Sequence, residues 1–148
     1  MEKYYYSYDE FLKDSLNLSK QLKEYKPDTL LAVARGGLTL GHFLANSLNI
    51  RRLFTINSIS YNGTQKLNSF DIFNIPDLSD AKKVVIIDDI IDSGETIKEI
   101  LKLLKERFDC EFKIATIFYK PTAILKADFK VKQAHQWIDF FWEVDIKN

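Results

Sequence analysis

Val84-Val85-Ile86-Ile87-Asp88-Asp89-Ile90-Ile91-Asp92-Ser93-Gly94-Glu95-Thr96 is the stretch from which the architecture follows. A continuous apolar run between Lys82-Lys83 and Asp88-Asp89 predicts a parallel strand buried on both faces, because a strand with one wet face would alternate. Such a strand belongs in the middle of a sheet. Asp88, Asp89 and Asp92 stand at its carboxyl end, where carboxylates lose solvation unless a metal ion or a set of hydroxyl groups meets them. Ser93, Gly94 and Thr96 then open a helix whose unpaired backbone N–H groups, with two hydroxyls, suit a phosphate. A purely local account covers part of this: Asp92 as N-cap with Glu95 at the third helical position forms a capping box. That account leaves Asp88-Asp89 against an apolar strand unexplained.

Toward the N-terminus, Ser7-Tyr8-Asp9-Glu10 has the spacing of a capping box, and Phe11, Leu18, Leu22 and Tyr25 recur at helical intervals until Pro27. Thr29 to Ala34 is a short apolar strand running into Arg35-Gly36-Gly37, after which Leu40, Phe43, Leu44 and Leu48 return to a helical period. Leu53 to Ser60 is a strand, and the polar stretch Tyr61 to Phe70 reads as a mobile loop. Beyond the central stretch, Ile97, Ile100, Leu101, Leu104 and Phe108 trace a helix, Phe112 to Tyr119 a strand, and Phe129 to Val131 a short one. Strands alternating with helices predict an α/β fold with an open, mostly parallel sheet and helices on both faces. Ligands of such sheets bind beyond the carboxyl ends of the strands. Without a repeat, linker or low-complexity tract, residues 1–148 read as one domain.

The composition is that of a globular chain, 46% hydrophobic and 28% charged, with eleven Phe and seven Tyr. Lys plus Arg equals Asp plus Glu at 21 each, so there is no excess positive charge to hold a polyanion, and nucleic acid is not expected as a partner. The lone Cys110 has no internal disulfide partner and reads as a half-buried small hydrophobe. No stretch approaches the ~20 apolar residues of a membrane span. The N-terminus lacks the apolar core of a signal peptide, so a cytoplasmic protein is expected. His42 and His135 have no metal-site spacing and read as structural or surface residues.

The apolar strand followed by Asp88 to Thr96 resembles the phosphoribosyl pyrophosphate motif of type I phosphoribosyltransferases over the motif's full length. The resemblance implies a Mg²⁺-dependent enzyme in which Asp88 and Asp89 face the ribose hydroxyls and the Mg²⁺ shell, with Asp89 as the metal-side carboxylate. Ile90 and Ile91 belong to the same binding run, Ser93, Gly94, Glu95 and Thr96 hold the 5-phosphate, and Asp92 lies near N7 of a base. Ser93 stands where the family often has Thr, and the hydroxyl is kept. Receiver domains also use an acidic pair, but place it near the start of the chain.

Ala34-Arg35-Gly36-Gly37 reads either as a tight turn or as an anion loop, since glycines let backbone N–H groups approach and Arg35 adds a cationic fork. It resembles the family's pyrophosphate loop, which implies binding by Arg35 and Gly36 and a non-proline cis peptide before Arg35. Ser60-Tyr61 resembles the dipeptide in the closing loop of purine phosphoribosyltransferases, where a lid keeps water from the reacting centre. Lys66 stands where bacterial relatives carry an Arg that reaches pyrophosphate, and keeps the charge without the fork. Tyr and Lys in a polar loop are, on the residues alone, equally well solvated.

Thr116-Ile117-Phe118-Tyr119-Lys120-Pro121 is similar to the strand of xanthine-guanine and hypoxanthine-guanine enzymes whose Lys bonds O6 of the base. A cation there selects oxo over amino purines. In Gln136 to Glu143 the resemblance implies a small C-terminal hood in which Trp137 stacks on the purine and Ile138 offers backbone groups to its edge, while Phe140, Phe141 and Trp142 read as packing. The implied activity is transfer of ribose 5-phosphate from phosphoribosyl pyrophosphate to a 6-oxopurine (xanthine, guanine or hypoxanthine), with Asp92 handling the N7 proton and Lys120 polarising O6. The family is usually dimeric or tetrameric, so a homodimer or homotetramer is expected. Two other readings are a regulator that binds phosphoribosyl pyrophosphate without chemistry and a pyrimidine or orotate phosphoribosyltransferase. Net charge zero opposes the first, and Lys120 with Trp137 opposes the second.

Overall fold

The computed structural model describes residues 2–60 and 70–146. Tyr61, Lys66 and the rest of the stretch read as a loop lie outside these residues, apart from Phe70. The elements run β1 (Lys3–Tyr6), α1 (Tyr8–Tyr25), β2 (Thr29–Ala34), α2 (Leu38–Leu48), β3 (Leu53–Ser60), β4 (Phe70–Phe73), β5 (Lys83–Ile91), α3 (Glu95–Arg107), β6 (Glu111–Tyr119), β7 (Phe129–Gln133) and β8 (Trp137–Phe140). A six-stranded sheet has the order β4-β3-β2-β5-β6-β7, and every pair in it is parallel except β3 with β4.

The apolar run of β5 is central as its composition demands, and its side chains alternate between two cores. Val85 and Ile87 join Phe11, Leu18 and Leu22 of α1 and Leu40 and Leu44 of α2. Val84 and Ile86 join Ile97, Ile100 and Leu104 of α3 on the other face. Helices therefore cover both faces, and both cores are apolar enough to supply the dominant stabilising term. The capping box at the head of α1 forms as its spacing predicts: Ser7 Oγ accepts the Glu10 N–H at 3.2 Å and the Glu10 carboxylate accepts the Ser7 N–H at 3.0 Å. Ser7→Ala is expected to cost about 1 kcal/mol of stability, measured by urea denaturation, with no change in the denaturation slope.

Four readings of the sequence need correction. First, β5 continues to Ile91, so Asp88 and Asp89 lie within a paired strand, Asp88 opposite Thr116, and not after its end. Their polar character hid the strand's length. Second, Asp92 and Glu95 form no capping box: α3 starts at Glu95 with Gly94 at its N-cap and no side-chain cap. With the strand persisting to Ile91, the chain turns into the helix within three residues, and Gly94 does so at φ 85°, a left-handed conformation suited to glycine. Third, Phe70 opens β4, whose four residues are too few to show a period against polar neighbours. Fourth, the aromatic C-terminus contributes a strand as well as packing. β8 pairs in parallel with β1 in a separate two-stranded ribbon, Lys3 opposite Trp137 and Tyr6 opposite Phe140. Cys110 is half-buried, as its type suggests. No helix among the described residues is long and apolar enough to cross a membrane.

Candidate active site

The strand order reverses between β2 and β5: the chain leaves β2 toward β3 on one side and continues from β5 toward β6 on the other. Loops leaving such neighbours diverge and open a crevice at their carboxyl ends, the place where open α/β sheets bind ligands. Here the crevice is a cavity of about 290 Å³. Arg35 and Gly36 line it from the β2 loop, Ser58 and Ser60 from β3, and Asp88 through Gly94 with Thr96 from β5 and its turn. Of the phosphate-side residues singled out in the sequence, Arg35, Gly36, Ser60, Asp88, Asp89, Ile90, Ile91, Asp92, Ser93, Gly94 and Thr96 meet there, while Glu95 is not in the wall.

Close approach explains the glycines. A Cβ on Gly36 would lie 2.7 Å from Asp89 Oδ2, and one on Gly37 would lie 2.4 Å from the Ile87 carbonyl oxygen. The β2 loop thus lies directly against β5, its Ala34-Arg35 peptide cis and the Gly37 N–H donating to the Val33 carbonyl at 2.8 Å. On the other side the Ser93 carbonyl accepts the Ile124 N–H at 2.8 Å, and Ser93 Oγ accepts the Glu95 N–H at 3.2 Å, which secures the turn at the head of α3. Ser93, Gly94 and Thr96 of that turn line the cavity at a helix N-terminus, where backbone N–H groups without an intrahelical partner suit an anion.

Asp88 and Asp89 form the acidic floor. Asp88 Oδ1 accepts the Asp89 N–H at 2.9 Å, and Asp89 is buried. Burial, followed by the charge of Asp89, raises the Asp88 carboxyl well above its ordinary range. Burial raises Asp89 as well, although hydrogen bonds from Asp88 and the backbone oppose the shift. A buried acid beside a half-buried one calls for a cation or hydroxyl donors. Among the described residues no group of three or more His, Cys, Asp and Glu forms a self-sufficient metal cage. That donor set fits Mg²⁺ shared with a substrate's oxygens, since Mg²⁺ keeps several waters and takes one or two carboxylates.

A second cavity, of about 190 Å³, adjoins the first and shares Asp89, Ile90 and Asp92 with it. Its remaining lining is Lys120, Gln136, Trp137, Ile138, Phe140 and Glu143. All the base-side candidates therefore come together, although Trp137 lies 17 residues after Lys120 and across a strand. Lys120 leaves the end of β6, its N–H donating to the Ile91 carbonyl at 3.0 Å, and its Nζ meets Asp92 Oδ1 at 2.7 Å. Trp137 exposes 59% of its surface and Ile138 only 7%, so the ring is open to a ligand while its neighbour is anchored. Gln136, Phe140 and Glu143 escaped sequence reasoning. Burial, reinforced by the charge of Asp89, holds Glu143 above the usual carboxylate range. An acid closing the aromatic run Phe140-Phe141-Trp142 was the available signal.

A sheet with its crevice at the strand-order reversal, a glycine-lined acidic cavity and an aromatic pocket beside it define an α/β enzyme that handles a phosphorylated ligand next to a flat one. The family model for the phosphoribosyl transferase domain matches residues 5–148, and the chain belongs to that family. The solved Helicobacter pylori xanthine-guanine-hypoxanthine phosphoribosyltransferase is 43% identical, covers 97% of this chain and 95% of its own, and has a TM-score of 0.90. A purine phosphoribosyltransferase from Pyrococcus horikoshii is 33% identical, with a TM-score of 0.84 over 100% of this chain and 98% of its own. The xanthine-guanine phosphoribosyltransferase of Cereibacter sphaeroides is 28% identical over 154 residues, spanning 97% of this chain and 89% of that protein.

Proposed function

We propose that the chain is a purine salvage phosphoribosyltransferase that transfers ribose 5-phosphate from phosphoribosyl pyrophosphate to a 6-oxopurine, releasing pyrophosphate. The observation that carries this reading is the junction of the two cavities at Asp89, Ile90 and Asp92. A phosphorylated sugar in the first and a planar base in the second would meet there, with C1 of the ribose facing the base. Ser93, Gly94 and Thr96 hold the 5-phosphate at the head of α3. Arg35 and Gly36 hold the pyrophosphate, which leaves with the C1–O electron pair. Asp88 and Asp89 orient the ribose hydroxyls, and Asp89 with substrate oxygens would hold Mg²⁺. When bound, the ion neutralises charge on the leaving group.

In the base cavity Lys120 donates to O6, Trp137 stacks on the ring, and the Ile138 backbone meets the far edge. Asp92, held beside Lys120, accepts the proton at N7 and steadies positive charge on the base as its nitrogen bonds to C1. Tyr61 and Lys66 belong to the same reading as lid and pyrophosphate contacts. Incubation with phosphoribosyl pyrophosphate, Mg²⁺ and each base in turn, followed by mass detection of the nucleotide, tests it. Guanine, xanthine or hypoxanthine should be converted and adenine, uracil and orotate left unchanged; equal use of adenine or uracil would refute the base assignment. Trp137→Ala should raise KM for every accepted purine by a similar factor, roughly five- to a hundredfold, because stacking recognises a ring face and not its substituents.

A further inference from the structure

Beneath the base cavity lies a buried polar group that the proposed reaction does not use. Tyr6, at 0% exposure, donates its hydroxyl hydrogen to Asp14 Oδ2 at 2.6 Å, and Lys132 Nζ reaches the same oxygen at 2.9 Å. Asp14 is itself only 6% exposed. One carboxylate oxygen thus joins β1, α1 and β7. The surroundings are aromatic: the Tyr6 ring meets Phe11, Phe118, Phe140 and Trp142 edge to face, and Lys132 Nζ sits 5.6 Å from the Tyr6 ring and 5.9 Å from the Phe118 ring. Apolar packing there already supplies adhesion, and an ion pair whose lysine is half-exposed adds little to stability. What packing lacks is direction, which hydrogen bonds provide.

The two ends of the group lead to different lining elements of the base cavity. Tyr6 pairs with Phe140 in the ribbon, and its carbonyl accepts the Phe141 N–H at 3.0 Å; the same ribbon carries Trp137 and Ile138. Lys132 pairs with Phe118, two residues before Lys120 on β6. We propose that Tyr6, Asp14 and Lys132 are positioning residues that set the width of the base cavity, pinning the β1–β8 ribbon with its Trp137 to the strands that lead into and flank Lys120. The proposal rests on the base-cavity reading above. A loosened ribbon would misplace the stacking ring against O6 of the base while leaving the crevice between β2 and β5 as it is, so the base should suffer and the phosphorylated substrate should not.

Steady-state kinetics on the full chain test this, with base varied at saturating phosphoribosyl pyrophosphate and the reverse, alongside thermal denaturation. Tyr6→Phe, which keeps the ring, and Lys132→Met, at a half-exposed position, should each raise KM for the base roughly tenfold and leave KM for phosphoribosyl pyrophosphate within about twofold. Lys132→Arg should restore the wild-type base KM, and the double variant should be no worse than the poorer single, because the residues act through one carboxylate. Unchanged base KM in both folded variants overturns the proposal, as does a parallel rise of both KM values with falling Tm. Should Tyr6→Phe fail to fold, Lys132→Met with Lys132→Arg decides alone. The wild type is assayed first against the panel of bases: if no 6-oxopurine is used, the functional reading fails, and the KM split is read on whichever base is turned over.

Discussion

Replacing Asp88 and Asp89 together by Asn is expected to weaken phosphoribosyl pyrophosphate binding by roughly 3–6 kcal/mol, a factor of about a hundred to ten thousand. Each carboxylate is assigned a hydroxyl or metal-water donor, and a hydrogen bond to a charged group contributes about 1.5–3 kcal/mol. Affinity should also lose most of its dependence on Mg²⁺, since the Asn oxygens carry no net charge. The free protein should respond in the opposite direction. Burial raises both carboxyls, and repulsion adds to the shift of Asp88, so their ionised forms destabilise the fold at neutral pH. Neutral Asn removes that cost, and the double variant should unfold at a higher urea concentration than the wild type. Calorimetric titration with unchanged affinity would exclude the ligand role, and lowered stability would assign the pair to the fold.

Lys120→Met is expected to lower kcat/KM for guanine roughly tenfold to a hundredfold or more, because O6 loses a charge-assisted donor worth about 1.5–3 kcal/mol. Met keeps much of the stem's bulk, so the loss is of the ammonium rather than of packing. The 2.7 Å contact with Asp92 adds a second consequence. Without its partner the Asp92 carboxylate is free to reorient, so kcat should fall along with a rise in base KM. Phosphoribosyl pyrophosphate affinity, resting on Arg35, Gly36, Asp88, Asp89 and the head of α3, should stay as it was. Guanine turnover unaltered by Lys120→Met would remove O6 recognition from this residue and leave the phosphoribosyl half of the reading standing.

The sheet and the acidic crevice were legible because they depend on short-range pattern. A continuous apolar run has to be buried on both faces, alternating strand and helix periods imply a parallel sheet, and glycines beside Arg35 mark a loop that packs closely against its neighbour. The boundaries around the site were not legible. Asp88 and Asp89 look like the end of a strand because they are polar, yet pairing of β5 with β6 through Asp88 and Thr116 carries the strand past them to Ile91. That extension moved the helix start to Glu95 and replaced a side-chain cap with the left-handed Gly94.

Lys3 to Tyr6 at one end and Trp137 to Phe140 at the other show no period long enough to announce a strand, and they pair only because the chain brings its two ends together. The same closure places Gln136 and Glu143 in the base cavity and joins Tyr6 to Asp14 and Lys132. Sequence alone determined the class of fold and the chemistry available, because burial and periodicity act over neighbouring residues. Tertiary structure decided which distant side chains share a wall and how far apart the walls stand, because those distances follow from strand register and from directional hydrogen bonds between elements far apart in the chain.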